Sequence, residues 1–280
     1  MVCAICMFYV CFVWSEREEW PSERDMLYKK RFALASYLSI MGVEGIAQSA
    51  WFVQAAHQLA LSWIRHVPAK DRMQYDMMLL VTDPYDLLNA EATALLHEVG
   101  WILIKVDPLY GIPSDSSYLL QNHYTHTAQF TKLHLWTFER YEHILYLDSD
   151  MLVVKNILSA VSGYNTTANT LGVARNRDGS DAFNAGFLYV TPSKTEFYRM
   201  RETSLVLKYD TGVQEQGFLN VYWTNRTIYM PADVNQFVDS LTDTCIVMHF
   251  VSTLKPWFLC PYFRSGHEKA CTEWDSYGHY

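Results

Sequence analysis

The chain has 280 residues, of which 50% are hydrophobic, so it can bury a large core, and an α/β unit of this size often forms one domain. Its formal net charge is -8 and it has no long basic run, which excludes a nucleic-acid backbone as an expected partner. The six cysteines include no paired CxxC sets, so no structural zinc site is expected.

The first element in chain order is an apolar opening that passes into a charged stem, and we assign both to residues 1–30. The opening MVCAICMFYVCFVW resembles a truncated signal-anchor, although about 20 residues are needed to span a bilayer. A signal-peptide core and an incomplete start are the alternatives. With the sequons at Asn165 and Asn225, these features predict a membrane-anchored protein of the Golgi or secretory-pathway lumen, with a cytoplasmic location as the alternative.

Strand and helix patterns then alternate up to residue 148. Strands are expected in RFALASYL, YDMMLLVTD, WILIKVD and HILYLD, and helices in SAWFVQAAHQLALSWIRHV, DLLNAEATALLHEVG and AQFTKLHLWTF. The second of these helices should have Asp86 in its first turn and end at Gly100. Shorter strands follow in TLGVAR, FNAGFLYV and CIVMHF. This order predicts an α/β fold with a mostly parallel central sheet and helices on both faces, whose ligands bind beyond the carboxyl ends of the strands.

Two carboxylates interrupt the apolar run HILYLDSDMLVV where the fourth strand ends. Burying a neutral polar group without a hydrogen-bond partner costs about 2–7 kcal/mol, and burying an unpaired carboxylate costs more. Asp148 and Asp150 therefore need a partner. Around a turn, both can point at one divalent cation, which predicts a metal site. A solvent-facing acidic turn is the plain alternative. A phosphatase of the haloacid-dehalogenase type, with the first acid as nucleophile, is a second one.

Three further segments place polar residues beside apolar ones. In FNAGFLYVTPS, Asn184 can donate and accept hydrogen bonds, and Gly186 permits close approach of a ligand. In QEQGFLN, Glu215 and Gln216 begin a helix-like run and could simply be first-turn polar residues. In HFVSTLKPW, His249 ends a strand and could be a third metal ligand or a core histidine, while Lys255 can reach an anionic diphosphate.

The motifs FTKLHLW, LYLDSDMLV, FNAGFLYVTPS, QEQGFLN and HFVSTLKPW resemble, in order and approximate spacing, those of glycosyltransferase family 8, the glycogenin-like enzymes. The resemblance runs from about Arg31 to Trp257. It implies the GT-A fold, a Rossmann-like nucleotide-diphospho-sugar transferase domain, which we assign to residues 31–258, with a C-terminal tail over 259–280. It also implies retaining transfer of a hexosyl or related group from a UDP-sugar, with Mn²⁺, to a glycan, glycolipid or protein.

The resemblance also implies a role for individual residues. Asp148, Asp150 and His249 match the family's metal ligands, and Asp148 also lies near the ribose. Lys255 matches the lysine that holds the departing diphosphate, and Lys132 one near the donor's phosphate and sugar. Asn184 and Gln216 match residues of the family that hold the transferred sugar. On strand register alone, Ala35, Ser36 and Tyr37 match the residues that meet uracil and ribose.

Some positions depart from the family. Glu215 stands where glycogenin has an aspartate, and no match to its self-glucosylated segment is present, so self-priming is not expected. An amide, Gln216, occupies the place expected of a nucleophile, which favours attack on the face from which the nucleotide departs. Glu215 is the one nearby carboxylate that could act as a nucleophile instead. A catalytically silent sugar-binding subunit is the alternative to an enzyme.

Cys260 and Cys271 bracket a short loop near the end of the chain. The sequence leaves two interpretations of them, a disulfide if the protein is luminal and buried free thiols otherwise.

Overall fold

The computed structural model describes residues 31–39, 45–83, 88–111, 128–177, 181–251, 254–262 and 264–278. The predicted signal-anchor and charged stem, residues 1–30, lie outside the described residues. Asp86 and the sequence from 112 to 127 also lie outside them.

A seven-stranded sheet forms the centre of the described chain, in the order β3-β2-β1-β4-β7-β6-β8. Its strands β1 to β4 lie close to where the apolar runs predict them. The four neighbouring strands β3, β2, β1 and β4 are parallel, β7 is antiparallel to both of its neighbours, and β6 is parallel to β8. The strands are β1 Phe32–Ser39, β2 Tyr75–Thr82, β3 Ile102–Lys105, β4 His143–Leu147, β6 Leu171–Arg175, β7 Phe183–Val190 and β8 Thr227–Tyr229. The predicted mostly parallel sheet is confirmed.

Helices cover both faces of this sheet, as predicted. The helices are α1 Gly45–His66, α2 Ala69–Arg72, α3 Ala90–Glu98, α4 Leu158–Val161, α5 Lys194–Ser204, α6 Gln214–Tyr222, α7 Pro256–Tyr262 and α8 Glu268–Asp275. Helix α1 buries Ala56, Leu59, Ala60 and Trp63, which occupy positions i, i+3, i+4 and i+7 on one side of the helix, against one face of the sheet. Helices α5 and α6 pack with Phe130–Thr137 against the other face. Phe130–Thr137, predicted as a helix, is a 3-10 helix.

Helix α3 begins later than its sequence pattern suggests. It starts at Ala90, because the side chain of Asn89 accepts a hydrogen bond from the backbone N–H of Ala92 and so caps its first turn. Gly100 follows its end with φ +92°, a conformation that favours glycine.

A small second sheet brings a segment from late in the chain next to the carboxyl end of β4. It consists of β5 Met151–Val153, β9 Gln236–Phe237 and β10 Val247–His249, in the order β5-β10-β9. Strand β10 is antiparallel to β5, and His249 is paired with Met151. A residue far along the chain therefore lies beside the acidic turn that precedes β5.

The residues after 258, which we assign to a C-terminal tail, include the end of α7 and all of α8. The proposed boundary falls inside α7, and Trp274 of α8 is buried against Phe250. Cys260 of α7 and Cys271 of α8 form a disulfide, which selects one of the two interpretations left open. Within the described ranges, no helix combines the length and the apolar character needed to cross a membrane.

Candidate metal and donor site

The two predicted acids flank a tight turn at the carboxyl end of β4. The backbone N–H of Asp148 donates to the carbonyl of Gly186 on the neighbouring β7 (2.8 Å), and the N–H of Met151 donates back to the carbonyl of Asp148 (3.1 Å). These bonds hold the turn between β4 and β5. Asp148 is partly exposed, whereas Asp150 is buried.

Strand β10 adds an imidazole to this turn. The N–H of Phe250 donates to the carbonyl of Asp150 (3.0 Å), which ties the end of β10 to the acidic turn. One ligand atom each from Asp148, Asp150 and His249 then lies within 4.8 Å of the others. The structure therefore brings together all three residues for which a metal-binding role was predicted.

Asp150 is a buried carboxylate with an unusual set of neighbours. Its Oδ2 accepts from the ammonium of Lys255, which also donates to the carbonyl of Phe250 (3.0 Å). Its Oδ1 lies 3.4 Å from Nε2 of His249 but has no hydrogen-bond partner among the described residues. Burial raises the pKa of Asp150, but Lys255 and His249 lower it by more, so the net pKa lies below its usual range. The carboxylate is therefore charged.

A chain of hydrogen bonds, anchored on the backbone, fixes the orientation of His249. The N–H of Gly186 donates to Oδ1 of Asn184 (3.0 Å), which identifies that atom as the oxygen. The Nδ2 of Asn235 donates to the same oxygen (3.3 Å), so the oxygen of Asn235 faces His249, 2.9 Å from Nδ1. An amide oxygen only accepts, so Nδ1 carries a proton, and Nε2 is the ring nitrogen that faces Asp150 and could bind a metal.

Gln216, in the first turn of α6, continues this network. Its Oε1 accepts from Nδ2 of Asn184 (3.1 Å) and from the backbone N–H of Ala185 (3.0 Å). In the described part of the chain, its Nε2 makes no hydrogen bond. The amide is thus oriented by its oxygen, and its two N–H groups remain as donors.

Lys132 lies buried between two carboxylates. Its Nζ is 2.9 Å from Oδ1 of Asp148 and 2.8 Å from Oε1 of Glu215. Burial lowers the pKa of Lys132, but the two carboxylates raise it by more, so the lysine stays charged. The hydroxyl of Tyr146 also donates to Oδ1 of Asp148 (2.5 Å). Lys132 therefore connects the metal-site acid to the start of α6.

Gly186 is a glycine because the site occupies the space of its side chain. A Cβ there would lie 2.5 Å from Cε1 of His249, 2.8 Å from Oδ1 of Asn184 and 3.0 Å from Oδ2 of Asp148. Atoms this close would have to move, so any side chain at 186 would disturb the site.

The structure does not bring three of the predicted nucleotide-binding residues to the surface of the site. Ala35 and Ser36 are fully buried in β1, and Tyr37 is 6% exposed. The hydroxyl of Tyr37 bonds to Oγ1 of Thr82 (2.9 Å) and to the carbonyl of Ala128 (3.2 Å). Their contact with a nucleotide stays a prediction.

Two residues that the sequence did not single out belong to the site. Asn235 follows Pro231 in a polar loop, and Tyr146 lies within the apolar run of β4. Nothing in their local patterns distinguishes them, because a loop asparagine and a strand tyrosine occur in most α/β proteins. Their roles appear only in the fold, where the pairing of β9 with β10 brings Asn235 to His249 and the hydroxyl of Tyr146 reaches Asp148.

Comparison with known proteins gives the family. Residues 85–259, more than half of the chain, match the profile of Glycosyl transferase family 8. Galactinol synthase 1 of Ajuga reptans is 25% identical over 221 residues, which cover 69% of this chain and 58% of that protein. Glycogenin-1 of Caenorhabditis elegans is 24% identical over 144 residues, covering 46% and 32% respectively. The chain thus spans less than two thirds of the length of these relatives.

A solved structure supports the fold independently. The apo-form glycosyltransferase GlyE of Streptococcus pneumoniae TIGR4 superposes with a TM-score of 0.54 at 19% identity, over 81% of this chain and 56% of that one. At this identity the likeness shows the fold alone, and that fold is the predicted GT-A type.

The expected location in the Golgi or secretory lumen is wrong, because relatives such as galactinol synthase and glycogenin contradict it. The expectation rested on an apolar stretch shorter than the roughly 20 residues of a membrane span and on two sequons, which chance also produces. Neither cue involves the fold or the site.

The acid-acid-histidine cluster, the sheet that assembles it and the match over residues 85–259 agree with one another. The chain belongs to glycosyltransferase family 8.

Proposed function

We propose that this chain is a Mn²⁺-dependent glycosyltransferase that moves a hexosyl or related group from a UDP-sugar to an acceptor hydroxyl with retention of configuration. The observation that carries the proposal is the convergence of ligand atoms from Asp148, Asp150 and His249 to within 4.8 Å. Membership of the family supports the reaction class.

The donor set fits a divalent cation of this kind. Two carboxylates and a neutral imidazole nitrogen are ligands that suit Mn²⁺ and similar metals. The buried Oδ1 of Asp150, which has no hydrogen-bond partner in the described chain, is an atom that a cation would satisfy. Bound Mn²⁺ would serve as a Lewis acid for the diphosphate of the leaving nucleotide.

Lys255 supplies a second positive charge for the leaving group. Its ammonium lies at Asp150, its side chain is 22% exposed, and it follows the strand that carries His249. Negative charge grows on the diphosphate as the bond to the anomeric carbon breaks. An ammonium placed there stabilises the transition state more than the ground state.

The donor sugar is proposed to lie over the network of amides. Asn184 and Gln216 are held by backbone N–H groups, so their remaining polar atoms are already oriented toward hydroxyl groups. Lys132 would approach the sugar and phosphate from the side of Asp148. The nucleotide would lie beyond the carboxyl end of β1, with its ribose near Asp148.

Retention is proposed to occur by attack on the face from which UDP departs. Glu215, the nearby carboxylate, is 5% exposed and paired with Lys132 at 2.8 Å. An ion-paired buried carboxylate is a poor nucleophile, because its charge is already stabilised. The acceptor hydroxyl would instead give its proton to the departing phosphate.

Two measurements test the proposal. Mn²⁺ and UDP together should raise the melting temperature of the protein, since they bind the native state. A panel of UDP-glucose, UDP-galactose, UDP-N-acetylglucosamine, UDP-xylose and UDP-glucuronate should then contain a donor that is hydrolysed only with Mn²⁺.

The matched variants are Asp150→Ala, which removes a ligand, and Asp243→Ala, which removes a fully exposed carboxylate. Asp150→Ala should abolish both the thermal shift and hydrolysis, while Asp243→Ala should retain both. Mn²⁺-dependent turnover in Asp150→Ala would refute the metal assignment.

A further inference from the structure

Tyr146 places a hydroxyl group in the fully buried part of β4. It is 0% exposed, and its neighbours Ile144, Leu145 and Leu147 are apolar and equally buried. Burying a hydroxyl group costs free energy unless the group finds a hydrogen-bond partner, and a phenylalanine would fill nearly the same volume without that cost. Packing of the core therefore explains the ring of Tyr146 but not its hydroxyl group.

The hydroxyl group of Tyr146 is bonded to the first acid of the metal site. It donates to Oδ1 of Asp148 at 2.5 Å, and side chains two positions apart on a strand point to the same face. The ammonium of Lys132 lies 2.9 Å from the same oxygen. Lys132 also lies over the ring of Tyr146, with Nζ 5.3 Å from its centroid. Tyr146, Lys132 and Asp148 thus form one packed unit.

These two donors occupy one oxygen of Asp148 and leave the other. A carboxylate has about two lone-pair sites on each oxygen, and Tyr146 and Lys132 take both sites of Oδ1. No side chain among the described residues donates a hydrogen bond to Oδ2. Oδ2 is therefore the oxygen of Asp148 that is left for a metal.

Oδ2 of Asp148 also lies on the side of the histidine. A Cβ added at Gly186 would lie 3.0 Å from this oxygen and 2.5 Å from Cε1 of His249. Both atoms thus border the same point beside β7, and Cε1 is bonded to Nε2 in the imidazole ring. The oxygen left by Tyr146 and Lys132 is the one that faces the other ligands.

We propose that Tyr146 is a positioning residue that restricts Asp148 to one metal-binding oxygen and thereby favours Mn²⁺ over Ca²⁺. Ca²⁺ takes about 6–8 oxygen ligands and readily accepts a bidentate carboxylate. A site that offers a single oxygen from Asp148 beside the nitrogen of His249 is poor in oxygen ligands for this ion. The inference rests on the proposed function, because it takes Mn²⁺ as the ion that binds.

Tyr146→Phe tests the role of the hydroxyl group, because it keeps the ring beneath Lys132. In this variant Oδ1 of Asp148 regains a free lone pair and can join Oδ2 at a metal. Calorimetry on the full chain should show Mn²⁺ binding weakened about tenfold, as for other partners that orient a ligand. Ca²⁺ binding should be unchanged, because the second oxygen offsets the lost support. The preference for Mn²⁺ over Ca²⁺ should therefore fall about tenfold.

Tyr222→Phe is the matched control. Its hydroxyl group donates to Oε1 of Glu196 (2.8 Å), a buried carboxylate that is paired with Arg226 outside the site. This variant should leave the affinities for both ions unchanged. Melting curves of the two variants without metal establish that each is folded.

Two results would overturn the inference alone. The first is an unchanged Mn²⁺ affinity in Tyr146→Phe, and the second is an equal loss for both ions, which would indicate a general loosening of the site. The parent protein gives a further check, since it should bind Mn²⁺ more tightly than Ca²⁺, and equal affinities would also contradict the role of Tyr146. A parent protein that binds no Mn²⁺ at all would overturn the proposed function together with this inference.

Discussion

The Nδ1 atom of His249 lies 2.9 Å from the amide oxygen of Asn235, and both side chains are buried. This contact sets the tautomer that leaves Nε2 available to a metal, and an outer partner of this kind is worth about 10- to 100-fold in metal affinity. Asn235→Ala should therefore weaken Mn²⁺ binding by about that factor, as measured by calorimetry.

Two further variants make this prediction specific. Asn235→Asp keeps the acceptor oxygen that faces His249 but replaces the Nδ2 donor to Asn184 with a second oxygen, so it should recover only part of the affinity. Asn156→Ala removes an asparagine whose oxygen accepts from the backbone N–H of Leu158 at the start of α4, and it should leave Mn²⁺ affinity unchanged. Equal affinities in Asn235→Ala and the parent protein would show that His249 does not need this partner.

The sequence predicts the central strands well because each is an apolar run bounded by polar residues. It also predicts Asp148 and Asp150, since two carboxylates at a strand end need a partner. Asn235 could not be found in this way. Its importance arises from two pairings that no local pattern encodes. Strand β9, which follows Asn235, pairs with β10 and so brings Asn235 to His249, and β10 pairs with β5, about 100 residues earlier in the chain.

The same limit applies to the nucleotide side of the site. Ala35, Ser36 and Tyr37 were aligned by strand register alone, and register does not say how deeply a strand is covered. The structure buries all three between the helices of the two faces. The 3-10 geometry of Phe130–Thr137 was equally hidden, because apolar spacing alone does not separate it from a short α-helix.

Substitution of Gly186 should destroy the metal site while leaving the central sheet formed. The added methyl group of Gly186→Ala would lie 2.5 Å from Cε1 of His249, so the imidazole must move. We expect at least a tenfold loss of Mn²⁺ affinity, of the order seen when the support of a ligand is lost. Gly163→Ala is the control, because nothing lies within 4 Å of its added methyl group. Unchanged affinity in Gly186→Ala would mean that His249 is not a ligand.

Glu215→Gln separates the two routes to retention. With same-face attack, the variant should keep turnover within about tenfold of the parent, because Lys132 still has Asp148 at 2.9 Å. Loss of a nucleophile would lower turnover by orders of magnitude.

The control for this variant is Glu196→Gln, which also removes a buried carboxylate, one paired with Arg199 and Arg226 outside the site. Both variants should lose similar stability on thermal melting. A collapse of turnover in Glu215→Gln alone would identify Glu215 as the nucleophile and contradict same-face attack.

The buried thiol of Cys245, beside β10, should make the stability of the protein depend on pH in the alkaline range. Burial raises its pKa from 9.0 to about 12. The folded protein then keeps a proton that the unfolded chain releases, so the contribution of Cys245 to stability is complete below pH 9.0 and is lost as the pH rises toward 12. Between pH 8 and pH 10 this loss is about 1 kcal/mol. Urea unfolding of the parent protein and of Cys245→Ala should be measured at both pH values. The difference between the two proteins separates the effect of the thiol from the titration of tyrosines, which both proteins share. A stability difference between the two proteins that does not change with pH would show that the thiol is not protected by burial.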